Sequence, residues 1–346
     1  MKVTLGRTGL VVPKNGFGAL PIQRISKNDA VRLLQQALDG GMYYFDTARY
    51  YTDSEEKLGV AFHDRRDNVI ISTKTGAKDA SGFWKELETS LRMLQTDHID
   101  LYQFHNPDHC PKPGDGTGLY EAMQDAVMQG KVLHVGITNH RLAVAQEAID
   151  SGLYETLQFP FSYLAGEQEL HLVEQCKENN MGYIAMKALA GGLINDAATA
   201  FAFMAQFPHV VPIWGIQSES ELREWLAFQN HTPEVTDEMH QRIRHDREEL
   251  SGEFCRGCGY CQPCPAGIEI QDCNRMYLFL RRAPYETYLT QEYYDKMQRI
   301  PDCKHCHQCS RKCPYNLDTP ALLEKNYKDF MEHWASRDEI FARIKK

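Results

Sequence analysis

Over the first 250 residues, short apolar runs and amphipathic stretches take turns, and this alternation leaves the chain few folds to choose from. The runs are Asn15–Leu20, Met42–Thr47, Val69–Lys74, Asp100–His105, Val132–Asn139, Thr156–Ser162, Gly182–Ala188 and Val210–Ile216. They are short and rich in Val, Ile, Phe and Tyr, which suits strands buried on both faces. Between them, Lys27–Asp39 carries Ala30, Leu33, Leu34, Ala37 and Leu38 at helical spacing and ends in Gly40-Gly41. Gly82–Leu94, Leu119–Met128, Leu142–Ile149, Glu167–Asn179 and Ser220–Gln229 follow the same rule, and Asn195–Phe207 is a shorter, Ala-rich stretch. Eight strands alternating with helices predict an α/β fold closed into a parallel (β/α)8 barrel. Val3–Val12, around Gly6-Arg7-Thr8-Gly9, reads as a small hairpin that could plug the barrel floor. A doubly wound open sheet is the competitor. It would place a Gly-rich phosphate turn after its first strand, and Asn15-Gly16-Phe17-Gly18-Ala19-Leu20 has no G-x-G-x-x-G.

The remaining residues change character. Nine of the eleven cysteines fall between Cys255 and Cys313, and only Cys110 and Cys176 precede them. The chain is therefore divided into a barrel over residues 1–250 and a cysteine-rich domain over 251–346. The start of the chain shows no export signal, so the clustered thiols favour metal ligation in a reducing, cytoplasmic setting over a disulfide framework. A formal net charge of -9 argues against a nucleic-acid or anionic-membrane partner. No apolar run approaches the roughly 20 residues that span a bilayer.

A barrel carries its chemistry at the C-terminal ends of its strands. Three successive strands each deliver an ionisable side chain there, namely Asp46, Lys74 and His105, with Tyr51 five residues after Asp46. Each alone could be a solitary rim residue in an ion pair. Together they compose a carbonyl/alcohol redox site. A free phenol with a pKa near 10 is a poor acid, and a nearby ammonium lowers that value. An Asp would hold the amine charged and in place, and a His could donate a hydrogen bond to the substrate oxygen.

Asp46-Thr47-Ala48-Arg49-Tyr50-Tyr51 followed by Ser54-Glu55-Glu56-Lys57-Leu58-Gly59 resembles the aldo-keto reductase signature, as do Ser72-Thr73-Lys74 and Asp100–His105 in the same order. The resemblance covers about residues 1–230. It implies Tyr51 as general acid/base, Lys74 and Asp46 as the groups that tune it, and His105 as the residue that orients substrate. It also implies a nicotinamide cofactor, with Thr138, Asn139 and Gln158 contacting the carboxamide. Where the family stacks a Tyr on the ring, this chain has Met186. Lys187 and the backbone of Leu189–Gly192, including Gly191, are placed to hold pyrophosphate. Gly215, Gln217 and Ser218 follow the last strand, where NADP-dependent members carry Lys and Arg. Here Glu219 and Glu221 would repel a 2′-phosphate unless Arg223 compensates, which favours NAD(H). The same acids suit the first turn of a helix, so NAD(H) and NADP(H) both stay open.

In the tail, Cys303, Cys306, Cys309 and Cys313 form C-x2-C-x2-C-x3-C-P, the bacterial ferredoxin pattern, and Cys255, Cys258, Cys261 and Cys264 repeat it one residue shorter. Crossed ligation gives two [4Fe–4S] clusters, one on Cys255, Cys258, Cys261 and Cys313, the other on Cys303, Cys306, Cys309 and Cys264. Zinc is the alternative for such pairs. Cys273 is left over and reads as a buried thiol. Met276–Ile300, aromatic among charged groups, reads as helical spacers. The chain thus resembles the iron–sulfur branch of the aldo-keto reductases. It is expected to act as an oxidoreductase on a small carbonyl or alcohol. The alternative is an electron-transfer protein whose barrel docks a redox partner or an unusual substrate without nicotinamide.

Overall fold

The computed structural model describes residues 1–250, 254–282 and 285–344. Two compact units emerge. One is Met1–Ala188 with Asp196–Ile243, and the other is Leu189–Asn195 with Arg244–Lys346.

The first unit is a closed barrel. After an antiparallel hairpin, β1 (Lys2–Thr4) and β2 (Val11–Pro13), the strands are β3 (Gly16–Gly18), β4 (Tyr44–Asp46), β5 (Ile70–Thr75), β6 (Ile99–His105), β7 (Val132–Thr138), β8 (Thr156–Pro160), β9 (Gly182–Met186) and β10 (Val210–Gly215). All eight pair in parallel in the order β10-β3-β4-β5-β6-β7-β8-β9. The sequence-based strands are all present, one or two residues shorter at nine of their sixteen ends. Helices α1 (Lys27–Asp39), α2 (Ser54–Phe62), α3 (Ala80–Leu94), α4 (Leu119–Met128), α5 (Leu142–Ser151), α6 (Glu167–Glu178), α7 (Ala197–Ala205) and α8 (Glu219–Asn230) complete the units. Their starts are set by side chains. Ser26 accepts from the Asp29 amide, Asp79 from Gly82, and Ser218 and Glu221 form a reciprocal capping box.

The sequence reading passed over α2. That helix buries Ser54, Glu55 and Lys57 beside Leu58, Ala61 and Phe62, so no apolar stripe advertises it. Gly59 is obligatory on it, because a Cβ there would lie 2.2 Å from the Met93 carbonyl oxygen of α3. The hairpin closes the floor: Val3, Leu5 and Val12 pack with Tyr44, Leu101, Ile184, Val211 and Ile213. Lys14, just beyond the hairpin, donates to the carbonyls of Val210 (2.9 Å) and Phe207. Burial holds its amine down to about 7.

The second unit is helical. Ile268, Ile270, Met276, Leu280, Leu289, Met297, Ile300, Leu323 and Phe330 build its core, with Cys273 among them. The spacer region forms the helices Met276–Arg282, Tyr285–Tyr288 and Gln291–Met297, and the long helix Thr319–Ala335 packs on the first and third of them. Leu189–Asn195 belongs to this unit through hydrogen bonds to two arginines. Arg275 Nη1 donates to the Gly191 carbonyl, and Arg282 Nε to that of Leu193 (2.8 Å). No helix among the described residues is long and apolar enough to cross a membrane.

Candidate active site and cysteine-lined cavities

Parallel register brings the strand-end residues to one rim. Asp46 pairs with Ser72, Lys74 with Gln103, and His105 with Thr138, which in turn pairs with Gln158. The ladder runs past the strand ends: the amides of Thr47, Arg49, Asn106 and Asn139 donate to the carbonyls of Ser72, Lys74, Thr138 and Gln158. The rim backbone is thereby fixed before any side chain is considered.

Lys74 is 1% exposed and donates to Asp46 Oδ1 at 2.6 Å and to the Thr47 carbonyl at 2.5 Å. Burial lowers its pKa and the Asp46 charge acts against that shift. Asp46 Oδ2 accepts from Ser72 Oγ (3.0 Å), and Gln103 Nε2 joins Ser72 Oγ to Gln158 Oε1, both at 2.8 Å. A buried chain of polar side chains therefore backs the ammonium. Lys74 Nζ sits 5.4 Å from the centroid of the Tyr51 ring. The Tyr51 and His105 rings are 5.9 Å apart and nearly perpendicular. Desolvation, then the Lys74 charge, holds His105 down to about 3, so it is a neutral imidazole, and its Nδ1 is buried without a partner among the described residues.

Two phenols lie next to each other in sequence, and the structure separates them. Tyr50 is 59% exposed and donates from its hydroxyl to Glu86 Oε1 at 2.9 Å. Burial of the ring edge and this carboxylate push it up to about 12. Tyr51 is the one beside an ammonium. Its loop is tied down by Ser54, whose hydroxyl meets Thr47 Oγ1 (2.8 Å) and the Ala19 carbonyl (3.0 Å). Glu55, 1% exposed, accepts from Thr73 Oγ1 at 2.7 Å and pairs with Arg49.

The chain matches the family model "Aldo/keto reductase family" over residues 14–202. It belongs to that family. An uncharacterized oxidoreductase of Bacillus subtilis, YrpG, is 32% identical over 224 residues, covering 56% of this chain and 68% of its own. The L-galactose dehydrogenase of Arabidopsis thaliana is 30% identical over 211 residues, covering 56% of this chain and 66% of its own. The chain thus spans about two thirds of the length of these relatives. Among solved structures, the holo form of aldo-keto reductase AKR11C1 from Bacillus halodurans superposes with a TM-score of 0.62 at 22% identity, covering 71% of this chain and 95% of its own. An aldo-keto reductase from Klebsiella pneumoniae in complex with NADPH gives 0.59 at 23%, covering 71% and 95%. The tail of this aldo/keto reductase is recognised separately: residues 254–318 match a 4Fe–4S dicluster domain.

The nicotinamide-side residues are placed less uniformly. Thr138, Asn139 and Gln158 are buried at the ends of β7 and β8. Asn139 is heavily committed: Oδ1 accepts from the amides of His140 and Arg141, and Nδ2 donates to the Pro107 carbonyl. Gln158 keeps its amide next to Asp46, at 3.4 Å. Met186 ends β9, and Lys187 follows it with φ +55°. Leu189 and Gly191 fall in the second compact unit, where the Gly191 carbonyl is taken by Arg275. After Gly215, the amides of Gln217 and Ser218 are both occupied by Glu221 Oε2, while Glu219 pairs with Arg32. Both acids answer to helix α8 and its neighbour.

His140, which was not named from the sequence, is buried next to the residues expected to form the site. It directly follows Asn139, is 5% exposed, and is driven well below the ordinary imidazole range by burial, then by Lys187, His105 and Arg141. The signal was available, because His140 stands one residue past a pair already singled out.

In the second unit, two cavities are walled by cysteines. One, of about 340 Å³ to its open mouth, is lined by Cys255, Cys258, Cys261 and Cys313 with Arg256 and Tyr315. The other, of about 400 Å³, is lined by Cys264, Cys303, Cys306 and Cys309, with Cys261 on the shared wall. The two ligand runs share a backbone shape. Gly257 and Gly259 have φ +63° and +81°; His305 and His307, at the same offsets in the second run, have +46° and +53°. Such left-handed residues turn successive N–H groups inward, which suits an anionic group. The Gly257 amide already donates to Cys255 Sγ at 3.4 Å. The histidines adopt this conformation against the Cβ clash that glycine avoids. Cys273 lines neither cavity. It is 1% exposed, its Sγ donates to the Lys296 carbonyl at 3.8 Å, and burial pushes it up to about 12.

Proposed function

We propose that this aldo/keto reductase interconverts a carbonyl and an alcohol on a small molecule, with Tyr51 moving the proton at the substrate oxygen. A bound NAD(H) or NADP(H) would supply or take the hydride. The observation that carries the reading is the contrast between adjacent phenols: Tyr51 faces the buried Lys74–Asp46 pair, while Tyr50 faces a carboxylate. An ammonium favours the phenolate that remains once the proton has been given up, and a carboxylate disfavours it. His105, neutral and partly unpartnered, can donate an N–H to the same oxygen. Gln158 and Thr138 border the space next to Asp46, and Met186 offers a polarisable thioether where a flat ring would lie. Glu219 and Glu221 are engaged in α8, so titration with both nucleotides reads the cofactor preference. The relative named L-galactose dehydrogenase supports a sugar or polyol as substrate class, and Arg49, Tyr50, Asn106 and Lys187 supply a polar rim for it.

The decisive experiment is Tyr51→Phe against Tyr50→Phe. General acid catalysis of this kind contributes about 10²–10⁴-fold. Tyr51→Phe should lose carbonyl reduction by that factor with nucleotide binding unchanged, and Tyr50→Phe should keep it. Turnover by Tyr51→Phe within threefold of the parent would end the proposal.

In the tail, Cys255, Cys258, Cys261 and Cys313 would hold one [4Fe–4S] cluster, and Cys264, Cys303, Cys306 and Cys309 the other. The cavity linings support this division, with Cys261 on the wall between the two. Such clusters supply one-electron storage. Iron and sulfide counts on anaerobically purified protein test it, with about eight of each expected from two such clusters.

A further inference from the structure

The two cavities differ in what surrounds them. Around the first, Arg256 lies between the rings of Phe254 and Tyr315 (4.3 and 4.6 Å). Around the second, Cys306 is exposed at the surface, and Lys304, His305, His307 and Arg311 are exposed with it. From Cys303 to Leu317 the chain has Lys304, Arg311 and Lys312 and no Asp or Glu, although the whole protein carries a net charge of -9. Several other cations of this unit are held in ion pairs or over aromatic rings: Arg281 by Asp329, Arg282 by Asp246 and Glu249, Lys296 by Glu269, Asp272 and Glu292, and Arg256, Arg275 and Lys325 over Phe254, Phe279 and Tyr277. Lys304, Arg311 and Lys312 have no carboxylate within ion-pair distance among the described residues. Glu324 lies 3.7 Å from His305, and Asp302 and Asp318 are exposed at the two ends of this stretch.

We infer that the Cys306 face is the docking surface for an acidic one-electron carrier protein. The inference rests on the reading of the tail as a two-cluster domain. An acidic carrier is repelled by the net field of this protein, so productive encounter needs a local patch of opposite sign, and such patches act mainly on association rate. The patch coincides with the most exposed of the cavity-lining thiols, so the face that attracts the carrier is also a face that gives access to the cavity. The transfer balances simply: the carrier is oxidised by one electron, this protein is reduced by one, and no atom moves. A membrane would ask for apolar side chains beside the cations, and this rim offers imidazoles and a thiol instead.

The test uses the full chain, purified anaerobically, with a plant-type [2Fe–2S] ferredoxin as the acidic probe and phosphatidylserine vesicles as the competing surface. Binding is read by biolayer interferometry and cluster reduction by stopped-flow absorbance, each as a function of salt. The parent should bind ferredoxin more weakly as salt rises. The triple variant Lys304→Glu/Arg311→Glu/Lys312→Glu should lose at least tenfold in affinity and in reduction rate. The neutral triple Lys304→Gln/Arg311→Gln/Lys312→Gln should fall between. Iron content and reduction by photoreduced deazaflavin, which needs no docking, should be the same in all three. Loaded variants that bind and accept electrons at the parental rate overturn the docking surface alone, as does patch-dependent binding to vesicles without a ferredoxin response. Parent protein without iron and sulfide overturns the reading of the tail, and the docking surface with it.

Discussion

Lys74→Met isolates the electrostatic core of the proposed chemistry. At 5.4 Å from the Tyr51 ring, a unit charge in a medium of effective dielectric about 20 contributes about 3 kcal/mol to a phenolate. That is about two pKa units. Removing the ammonium should raise the Tyr51 limb of the pH profile of kcat/KM by about that much and cost about 10²-fold in carbonyl reduction at pH 7. The single variant leaves Asp46 buried with only Ser72 and Gln158 as donors, so misfolding has to be separated from lost chemistry. Lys74→Met/Asp46→Asn restores neutrality. The assay is the pH dependence of kcat/KM for a reporter aldehyde, with iron content and circular dichroism as checks on folding. Recovery of the double variant to within threefold of the parent would mean that Lys74 merely neutralises Asp46, and the argument from charge would fail.

Three further outcomes are expected. Cys264→Ser should lower iron content to about half, whereas Cys273→Ser, outside both cavities, should leave it unchanged; equal losses would break the ligand division. Lys14 drops to about 7 on folding from an ordinary value near 10.5, so between those values the unfolded chain binds a proton that the folded chain does not. Its contribution therefore grows with pH across that window, by at most about 1.4 kcal/mol per unit, and the Tm difference between parent and Lys14→Met should shift in the parent's favour from pH 7.5 to 9.5; a flat difference would refute the assignment. Gly59→Leu should cost several kcal/mol in apparent stability, because even its Cβ meets the α3 backbone; a Tm within 2 °C of the parent would contradict the close packing of α2 on α3.

The barrel was legible because its signal is periodic and repeated, and each strand is corroborated by the helix that follows. Strand ends were legible for the same reason, since Asp46, Lys74 and His105 each terminate an apolar run. Helix α2 was not, because its polar residues face inward to hold the Tyr51 loop and so erase the amphipathic pattern. Gln103 escaped notice although it has the same parity along β6 as His105 and so faces the same way. The partition of cysteines came from spacing, but the burial of Cys255, in a cavity lined by Ile270, Tyr315 and Leu317, against the exposure of Cys306 is a matter of tertiary packing, which no spacing encodes.

The second compact unit is assembled from two separate stretches of chain, a seven-residue loop and everything after residue 243. Shortening the protein to its barrel would therefore not give a clean domain. A stop after residue 250 would strip the loop of Arg275 and Arg282 and leave the carbonyls of Gly191 and Leu193 with no guanidinium to satisfy them. A researcher who wants either half alone will have to redesign residues 189–195 as well as choose an end point.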